Sequence, residues 1–409
     1  MKKKISITTT ICAVIISITV TFVATFSFFS IKFTKVNEML NNSNELIGTL
    51  MGVDELVKQN FVGEFDEKNL LDGMLTGYIA GLGDPHSSYL TKEEYDSVMQ
   101  NTKGEFEGIG INVDPTDFKK GLFIIYVMPN SPAEKAGLLA SDIITKVNDK
   151  EAIILGYEGT MTEILGAVDT TVKLTILRND KEIEFNVQRS VFEKIPVTPL
   201  KIINDNIGFI RITEFEGKVA ELLKKEVDRA YELNLKGLIF DVRNNPGGEL
   251  EAIAKCLDNL MPKGNLITIK FKTGLLDNNN KPLEPKVYTT EGQNELRIPA
   301  VVLVNENTAS AAELFASDMK DANKAVLVGK KTYGKQVGQS IFPLKNGSAV
   351  KITTFNYLAR NEENFNKVGI TPNEVVNMDK NKTQRLFSLP PEQDDQLKKA
   401  IQILTEKIA

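Results

Sequence analysis

Hydrophobic and polar positions change their rhythm four times along the chain. Lys2, Lys3 and Lys4 precede a stretch from residue 5 to residue 31 that carries no charge. About 20 apolar residues span a bilayer as a helix, so this stretch predicts a membrane helix. Beyond it Leu40, Leu46, Leu50, Val53 and Val57 recur at helical spacing over Val36 to Gln59. A second helical stretch, Glu67 to Leu82, carries Leu70, Leu71, Met74 and Tyr78, and Gly81-Leu82-Gly83-Asp84-Pro85 stops it. From about residue 104 the pattern shortens into strands: Gly121–Val127, Asp142–Val147 and Val172–Leu177. Between them Ser131 caps, Pro132 opens and Gly137 closes a single helical turn, and a second helix is expected around Thr160–Leu165. After residue 196 strands and helices alternate. Ile207–Ile212, Gly237–Val242 and Pro299–Val304 read as strands, with helices over Gly217–Leu233, Glu249–Leu260 and Ser310–Asp318. That alternation predicts a largely parallel sheet. Asp394–Ile408 closes the chain as an amphipathic helix.

Composition narrows the classes. At 409 residues the chain holds two or three domains, and 42% hydrophobic residues suffice for real cores. A net charge of −5, with no basic run beyond the first four residues, argues against a nucleic-acid partner. The first apolar stretch lacks an Ala-x-Ala cleavage site, which favours an uncleaved anchor over a signal peptide. Lysines before it place the N-terminus inside, making this a single-pass protein of the cell membrane with everything from Lys32 onward extracytoplasmic. Outside the span Cys256 is alone, so no disulfide joins two cysteines there. One histidine, His86, and one such cysteine cannot build a zinc site, and no metal or cofactor is expected.

The segment from 104 to 190 resembles a PDZ domain. Gly108-Ile109-Gly110-Ile111 stands where those domains carry the loop whose N–H groups hold a peptide's terminal carboxylate, and Ser131-Pro132-Ala133-Glu134-Lys135-Ala136-Gly137 follows at a fitting distance.

Catalytic chemistry has two candidates. Ser310 opens a helix after the buried strand Val301–Val304, at the sheet end where α/β active sites gather. On this segment alone a helix cap is the simpler reading. A nucleophilic serine needs a base, and His86 lies far upstream. Lys335, beside Gly334 in a glycine-containing turn, is the alternative, provided burial lowers its pKa. Read alone, Lys335 is a surface lysine.

The combination is more telling. Thr308-Ala309-Ser310-Ala311-Ala312-Glu313, Thr332-Tyr333-Gly334-Lys335 and Gln339 resemble the carboxyl-terminal processing peptidases. So do Asp241-Val242-Arg243-Asn244-Asn245-Pro246-Gly247-Gly248, Gly369-Ile370-Thr371-Pro372 and Asp84-Pro85-His86-Ser87-Ser88-Tyr89-Leu90. The resemblance implies a Ser310 nucleophile, a Lys335 base oriented by Gln339, and an oxyanion hole from the N–H groups of Ala311, Gly247 and Gly248. It implies protein substrates with free C-terminal tails bound by Gly108–Ile111, allows a homodimer, and leaves His86 a structural role. Two positions depart from many relatives: Ala312 replaces a serine and Gln336 a glycine.

The expected architecture is mixed α/β and multidomain: a transmembrane anchor at 1–32, a helical module at 33–102, a PDZ domain at 103–190, an α/β serine-peptidase core at 191–380 and a helical tail at 381–409. A catalytically silent, membrane-tethered PDZ scaffold is the rival reading.

Overall fold

The computed structural model describes residues 45–102, 105–114, 118–272, 274, 281–379, 382–383 and 385–409. The expected membrane helix lies outside them; among the described residues no helix is long and apolar enough to cross a membrane. Two compact units divide at Gly73/Met74. Helix α1 covers 45–60, and α2 (Glu67–Ala80) follows.

Next come strand β1 (Ser88–Leu90) and helix α3 (Lys92–Thr102). The PDZ segment holds β2 (Glu105–Gly108), β3 (Ile111–Asp114), β4 (Leu122–Val127), α4 (Pro132–Ala136), β5 (Ile143–Val147), β6 (Lys150–Glu151), α5 (Ala152–Ile164), β7 (Thr171–Arg178), β8 (Lys181–Gln188) and β9 (Ser190–Glu193). Its antiparallel sheet runs β3-β4-β5-β7-β8, which leaves β3 at an edge. Leu122, Ile124, Ile144, Val172, Leu174 and Ile176 fill its core. Helix α4 is built as its sequence predicts: Ser131 Oγ accepts from Glu134 N–H at 3.2 Å, and Gly137 closes the turn at φ 92°. Helix α5 starts earlier than its periodicity suggests, because Gly156 at φ 69° kinks it and breaks the register.

The remaining elements are β10 (Lys201–Ile203), β11 (Ile207–Arg211), α6 (Val219–Glu232), β12 (Gly237–Asp241), α7 (Leu250–Asp258), β13 (Gly264–Phe271), β14 (Lys286–Thr290), β15 (Ala300–Val304), α8 (Ala311–Asp321), β16 (Ala325–Gly329), β17 (Val337–Pro343), β18 (Ala349–Leu358), β19 (Glu374–Val375) and α9 (Asp395–Ile408). The main sheet runs β10-β11-β12-β15-β16-β19 and is parallel from β11 to β19. Both its faces are covered, so β12 and β15 are apolar and buried with only Asp241 as an exception. Leu223, Leu257 and Phe315 from α6, α7 and α8 pack on one face. Leu397, Ala400 and Leu404 of α9 pack on the other.

The parallel expectation covers only this sheet. A second, antiparallel one runs β1-β18-β13-β14, with β17 on β18. Strands β17 and β18 are half exposed and lack a clean apolar rhythm. Strand β1 joins it with Ser88 opposite Lys351, which carries the Asp84–Leu90 motif out of the helical module and onto the core.

A buried charge network fastens α9. Arg243, fully buried, donates to Asp241 at 2.8 and 2.9 Å and to Asp394 at 3.0 and 2.8 Å. Arg211 adds bonds of 3.0 and 2.8 Å to Asp241. Burial pushes the Asp241 carboxyl up, and the two guanidiniums more than reverse this, holding it well below the usual range. Removing one member of such a set strands a buried charge. Asp394→Ala, which also removes the cap that accepts from Leu397 N–H, should cost about 3 kcal/mol in urea unfolding. A loss below about 1 kcal/mol would contradict this account.

Candidate active site

Three turns meet at the C-terminal end of the parallel sheet: 241–248 after β12, 305–310 after β15, and 330–335 after β16. Side chains and backbone lace them together. Asn244 N–H donates to Asn305 Oδ1 at 2.9 Å, Ala309 N–H to Asn245 O at 3.0 Å, and Thr308 Oγ1 to Val242 O at 2.9 Å. Tyr333 N–H donates to Thr308 O at 3.0 Å.

Ser310 precedes α8 with φ 57° and ψ −121°, a conformation an L side chain rarely adopts. Its N–H donates to Glu313 Oε2 at 2.9 Å. The same buried carboxylate accepts from Thr332 Oγ1 at 2.5 Å, Gly334 N–H at 2.7 Å and Lys335 N–H at 2.8 Å. One side chain therefore fixes the backbone of Ser310 to the backbone of Lys335. Burial pushes Glu313 up, against the pull of these donors. Sequence reasoning passed over Glu313; the signal was its place three residues after Ser310, where a capping carboxylate sits.

Gly247 and Gly248 face Ser310. A Cβ on Gly247 would lie 2.7 Å from Ser310 Cβ and 2.9 Å from Ala311 N, and one on Gly248 would lie 2.3 Å from Phe215 O. Both have positive φ, so glycine is required on two counts. The Gly247 N–H is engaged by Asn245 Oδ1 at 2.8 Å. Ala311, at the first turn of α8, and Gly248 present the N–H groups that no other described residue takes.

Burial pushes Lys335 below the ordinary lysine range, and Lys351 adds to the shift; Asp84 and Glu313 oppose it. Among the described residues Ser310 Oγ meets Tyr357 Oη, at 3.3 Å, and not Lys335 Nζ. Tyr357 Oη is also 2.5 Å from Lys335 O, which can only accept. The single phenolic proton therefore serves that bond, and Ser310 donates on the longer one. Gln339, opposite Thr353 on β18, donates through Nε2 to Thr353 Oγ1 at 3.0 Å.

Gln336 is a staple. Buried, it accepts from Phe365 and Asn366 N–H at 2.8 and 3.0 Å and donates to Glu363 O at 2.9 Å. A glycine there would keep only the backbone N–H bond to Asn366 Oδ1, at 3.3 Å, and lose the three made by the side chain. The Gly369–Pro372 motif closes the other side: Ile370 N–H donates to Thr332 Oγ1 at 2.7 Å, and a Cβ on Gly369 would meet Thr332 O at 2.1 Å. His86, expected far from the core, is brought by β1 within electrostatic reach of Lys335; burial first, then that lysine, push it down.

In the PDZ segment Ile109 is buried, and Gly110 at φ 82° leaves no room for a Cβ, which would lie 2.3 Å from Ser131 Cβ. Gly108 ends β2, and Ile111 begins the edge strand β3, whose outer side is open to an added strand.

A PDZ-bearing α/β core with a serine at a strained strand-to-helix turn defines a serine peptidase. The model of peptidase family S41 matches residues 206–376, that of PDZ domains residues 108–188, and that of the activating protease CtpB N-terminal domain residues 22–94. A CtpA-like serine protease of Staphylococcus haemolyticus is 30% identical over 84% of this chain and 67% of its own. The carboxy-terminal processing protease CtpA of Bacillus subtilis is 33% identical over 78% of this chain and 66% of its own. The chain thus spans about two thirds of the length of these relatives. An S41 protease of Bacteroides fragilis shares the fold at a TM-score of 0.60 and 18% identity, covering 86% of this chain and 94% of that one. The chain belongs to the carboxyl-terminal processing peptidases of family S41, which are serine-type peptidases.

Glu313→Gln puts an amide nitrogen where donors converge. The Lys335 turn should loosen from Ser310, lowering kcat on an unfolded protein substrate about a hundredfold. Unchanged kcat would remove Glu313 from this account.

Proposed function

We propose that this chain is a membrane-anchored endopeptidase that cleaves proteins near their C-termini through an acyl-enzyme on Ser310, with Lys335 as general base and Gln339 orienting it. The observation that carries the reading is the Glu313 carboxylate, which binds the backbone N–H groups of both Ser310 and Lys335. A helix-capping serine and an unrelated surface lysine have no need of a shared buried anchor. Burial of Lys335 favours the neutral amine that a base requires. Ala311 and Gly248 N–H groups are the oxyanion donors, each of the kind that contributes about 3 kcal/mol to transition-state stabilisation, and Gly247 supplies clearance.

The serine hydroxyl rests on Tyr357, so attack requires it to turn toward Lys335. This favours a gated enzyme over a silent scaffold, which has no use for a strained serine. We assign the gate to the PDZ domain, with the substrate tail on Gly108–Ile111 and β3. Its contact with the core supports the assignment: Phe387 lies between Tyr126 of β4 (centroids 4.8 Å apart) and the Arg211 guanidinium (4.6 Å), and Ser141 and Ser388 hydroxyls are 2.6 Å apart. Anchoring by residues 1–32, with an extracytoplasmic catalytic part and a homodimeric state, completes the reading; it rests on the lysine-led apolar stretch and on the family.

Ser310→Ala and Lys335→Ala should each abolish turnover of an unfolded protein. In the parent, kcat/KM should rise with pH through the depressed lysine pKa, because only the neutral amine accepts the serine proton. Activity flat across that range, or turnover by Lys335→Ala, would remove Lys335 as base.

A second prediction concerns the gate. Phe387→Ala frees the PDZ contact and should raise basal turnover while reducing the stimulation given by a peptide with a free C-terminal carboxylate. The comparison is turnover with and without that peptide; unchanged stimulation would separate Phe387 from gating.

A further inference from the structure

The Asp84-Pro85-His86-Ser87 motif has no part in the chemistry described so far, yet the fold delivers it to the candidate base. Strand β1 pairs with β18, and Thr353 of β18 stands opposite Gln339 of β17. Thr353 N–H donates to Ser87 Oγ at 3.1 Å. Ser87 Oγ in turn donates to Asp84 Oδ2 at 2.5 Å, and His86 N–H donates to Asp84 Oδ1 at 3.1 Å.

The direction of each bond follows from the donors available. Burial pushes the Asp84 carboxyl up, but donation from Ser87 and the His86 N–H, with Thr353 nearby, outweighs it and holds the group below the ordinary aspartate range. An ionised carboxylate only accepts, so Ser87 gives its hydroxyl proton to Asp84 and takes the Thr353 N–H on a lone pair. A lone pair of Thr353 Oγ1 receives Gln339 Nε2 at 3.0 Å. The two ends of an amide cannot both face one acceptor, so Oε1 points away from Thr353. Without Asp84 the Ser87 hydroxyl loses its acceptor, and the backbone that carries Thr353 loses the partner that fixes it.

We propose that Asp84 and Thr353 are positioning residues for the base: Asp84 holds the Ser87 hydroxyl that takes the Thr353 N–H, Thr353 Oγ1 takes the amide of Gln339, and Gln339 Oε1 is thereby turned toward the Lys335 amine. This rests on the assignment of Lys335 and Gln339 made above and adds to it the route by which Gln339 is oriented. It gives the Asp84–Ser87 motif a role in the reaction and leaves His86 as a donor of its backbone N–H.

Asp84 also acts on Lys335 through its charge. The groups facing Lys335 are Lys351 from β18, which with burial lowers its pKa, and Asp84 and Glu313, from the loop before β1 and from α8, which raise it; His86 shares this neighbourhood. Removing the Asp84 charge takes away an anion that favours the ammonium, so the lysine pKa falls. The acidic limb of the pH profile then moves to lower pH even as the orientation of Gln339 is lost.

The test is steady-state cleavage of an unfolded protein such as casein by the full chain in detergent, from pH 6 to pH 10, for the parent, Thr353→Val, Thr353→Ser and Asp84→Asn, with Ser310→Ala and Lys335→Ala as references. Thr353→Val keeps the shape and removes the hydroxyl; kcat should fall about tenfold with KM unchanged, and Thr353→Ser should restore it. Asp84→Asn should lower kcat at the plateau and shift the acidic limb to lower pH, a readout that a packing role would not move. If Thr353→Val fails to fold, by its thermal unfolding, Asp84→Asn carries the test. Parent-like kcat and an unmoved limb in the Asp84 and Thr353 variants, with the two references inactive, would overturn this proposal and leave the Ser310–Lys335 reading standing. Turnover by Lys335→Ala would overturn both.

Discussion

A single buried carboxylate, that of Glu313, decides where everything else in the site can stand. It accepts from Ser310, Gly334 and Lys335 N–H and from the Thr332 hydroxyl, so four neutral donors offset its desolvation. The choice of neutral partners matters. Had Glu313 been balanced by the Lys335 ammonium, the lysine would be locked in its charged form and useless as a base. Backbone amides at the start of α8 and in the Lys335 turn satisfy the carboxylate instead. The lysine amine is left poorly solvated, as the proposed base requires. The same bond to Ser310 N–H stabilises the strained backbone that turns the serine toward the Gly247–Gly248 turn.

The pKa of Lys335 is then a balance of four influences. Burial and Lys351 lower it, while Asp84 and Glu313 raise it. Locking the ammonium by an ion pair with either carboxylate would silence the proposed base. Under the proposal made above, Asp84 bonds Ser87 and a backbone N–H, and acts on the lysine through its charge and, by way of Ser87 and Thr353, through the direction of Gln339.

What the sequence made legible was what is local. The capped turn at Ser131–Gly137, the buried strand before Ser310 and the glycine pair at 247–248 each carry their reason within a few residues, and the PDZ loop and parallel sheet follow from them. The motifs of the site pointed to Ser310, Lys335 and Gln339 only in combination. Hidden from a linear reading were the contacts made across long separations. Gln336 reads as an anomalous bulky residue until Phe365 and Asn366 are beside it. Arg243 gives no hint of Asp394, which lies 151 residues on. The antiparallel sheet escaped because β17 and β18 are half exposed and mix polar with apolar residues on both faces, so neither period stands out. That sheet is what brings β1 to Lys351 and Asp84 to Thr353. Missing it made His86 seem remote.

The tail segment shows how a small interaction can suffice for control under the gated reading. Phe387 meets the PDZ domain through Tyr126 and the core through Arg211, and Arg211 holds Asp241, at the head of the turn that ends in Gly247 and Gly248. An aromatic pair of this kind contributes about 1 kcal/mol beyond its buried area, and allosteric couplings are typically about 1–3 kcal/mol. A bound C-terminus needs only that much preference for a displaced PDZ domain to move the balance severalfold. The buried Arg243–Asp241–Asp394 set is far stiffer, with every charge paired. Displacement of the PDZ domain should therefore break at Phe387 and leave α9 seated, so that the gate opens without loosening the core that holds Glu313.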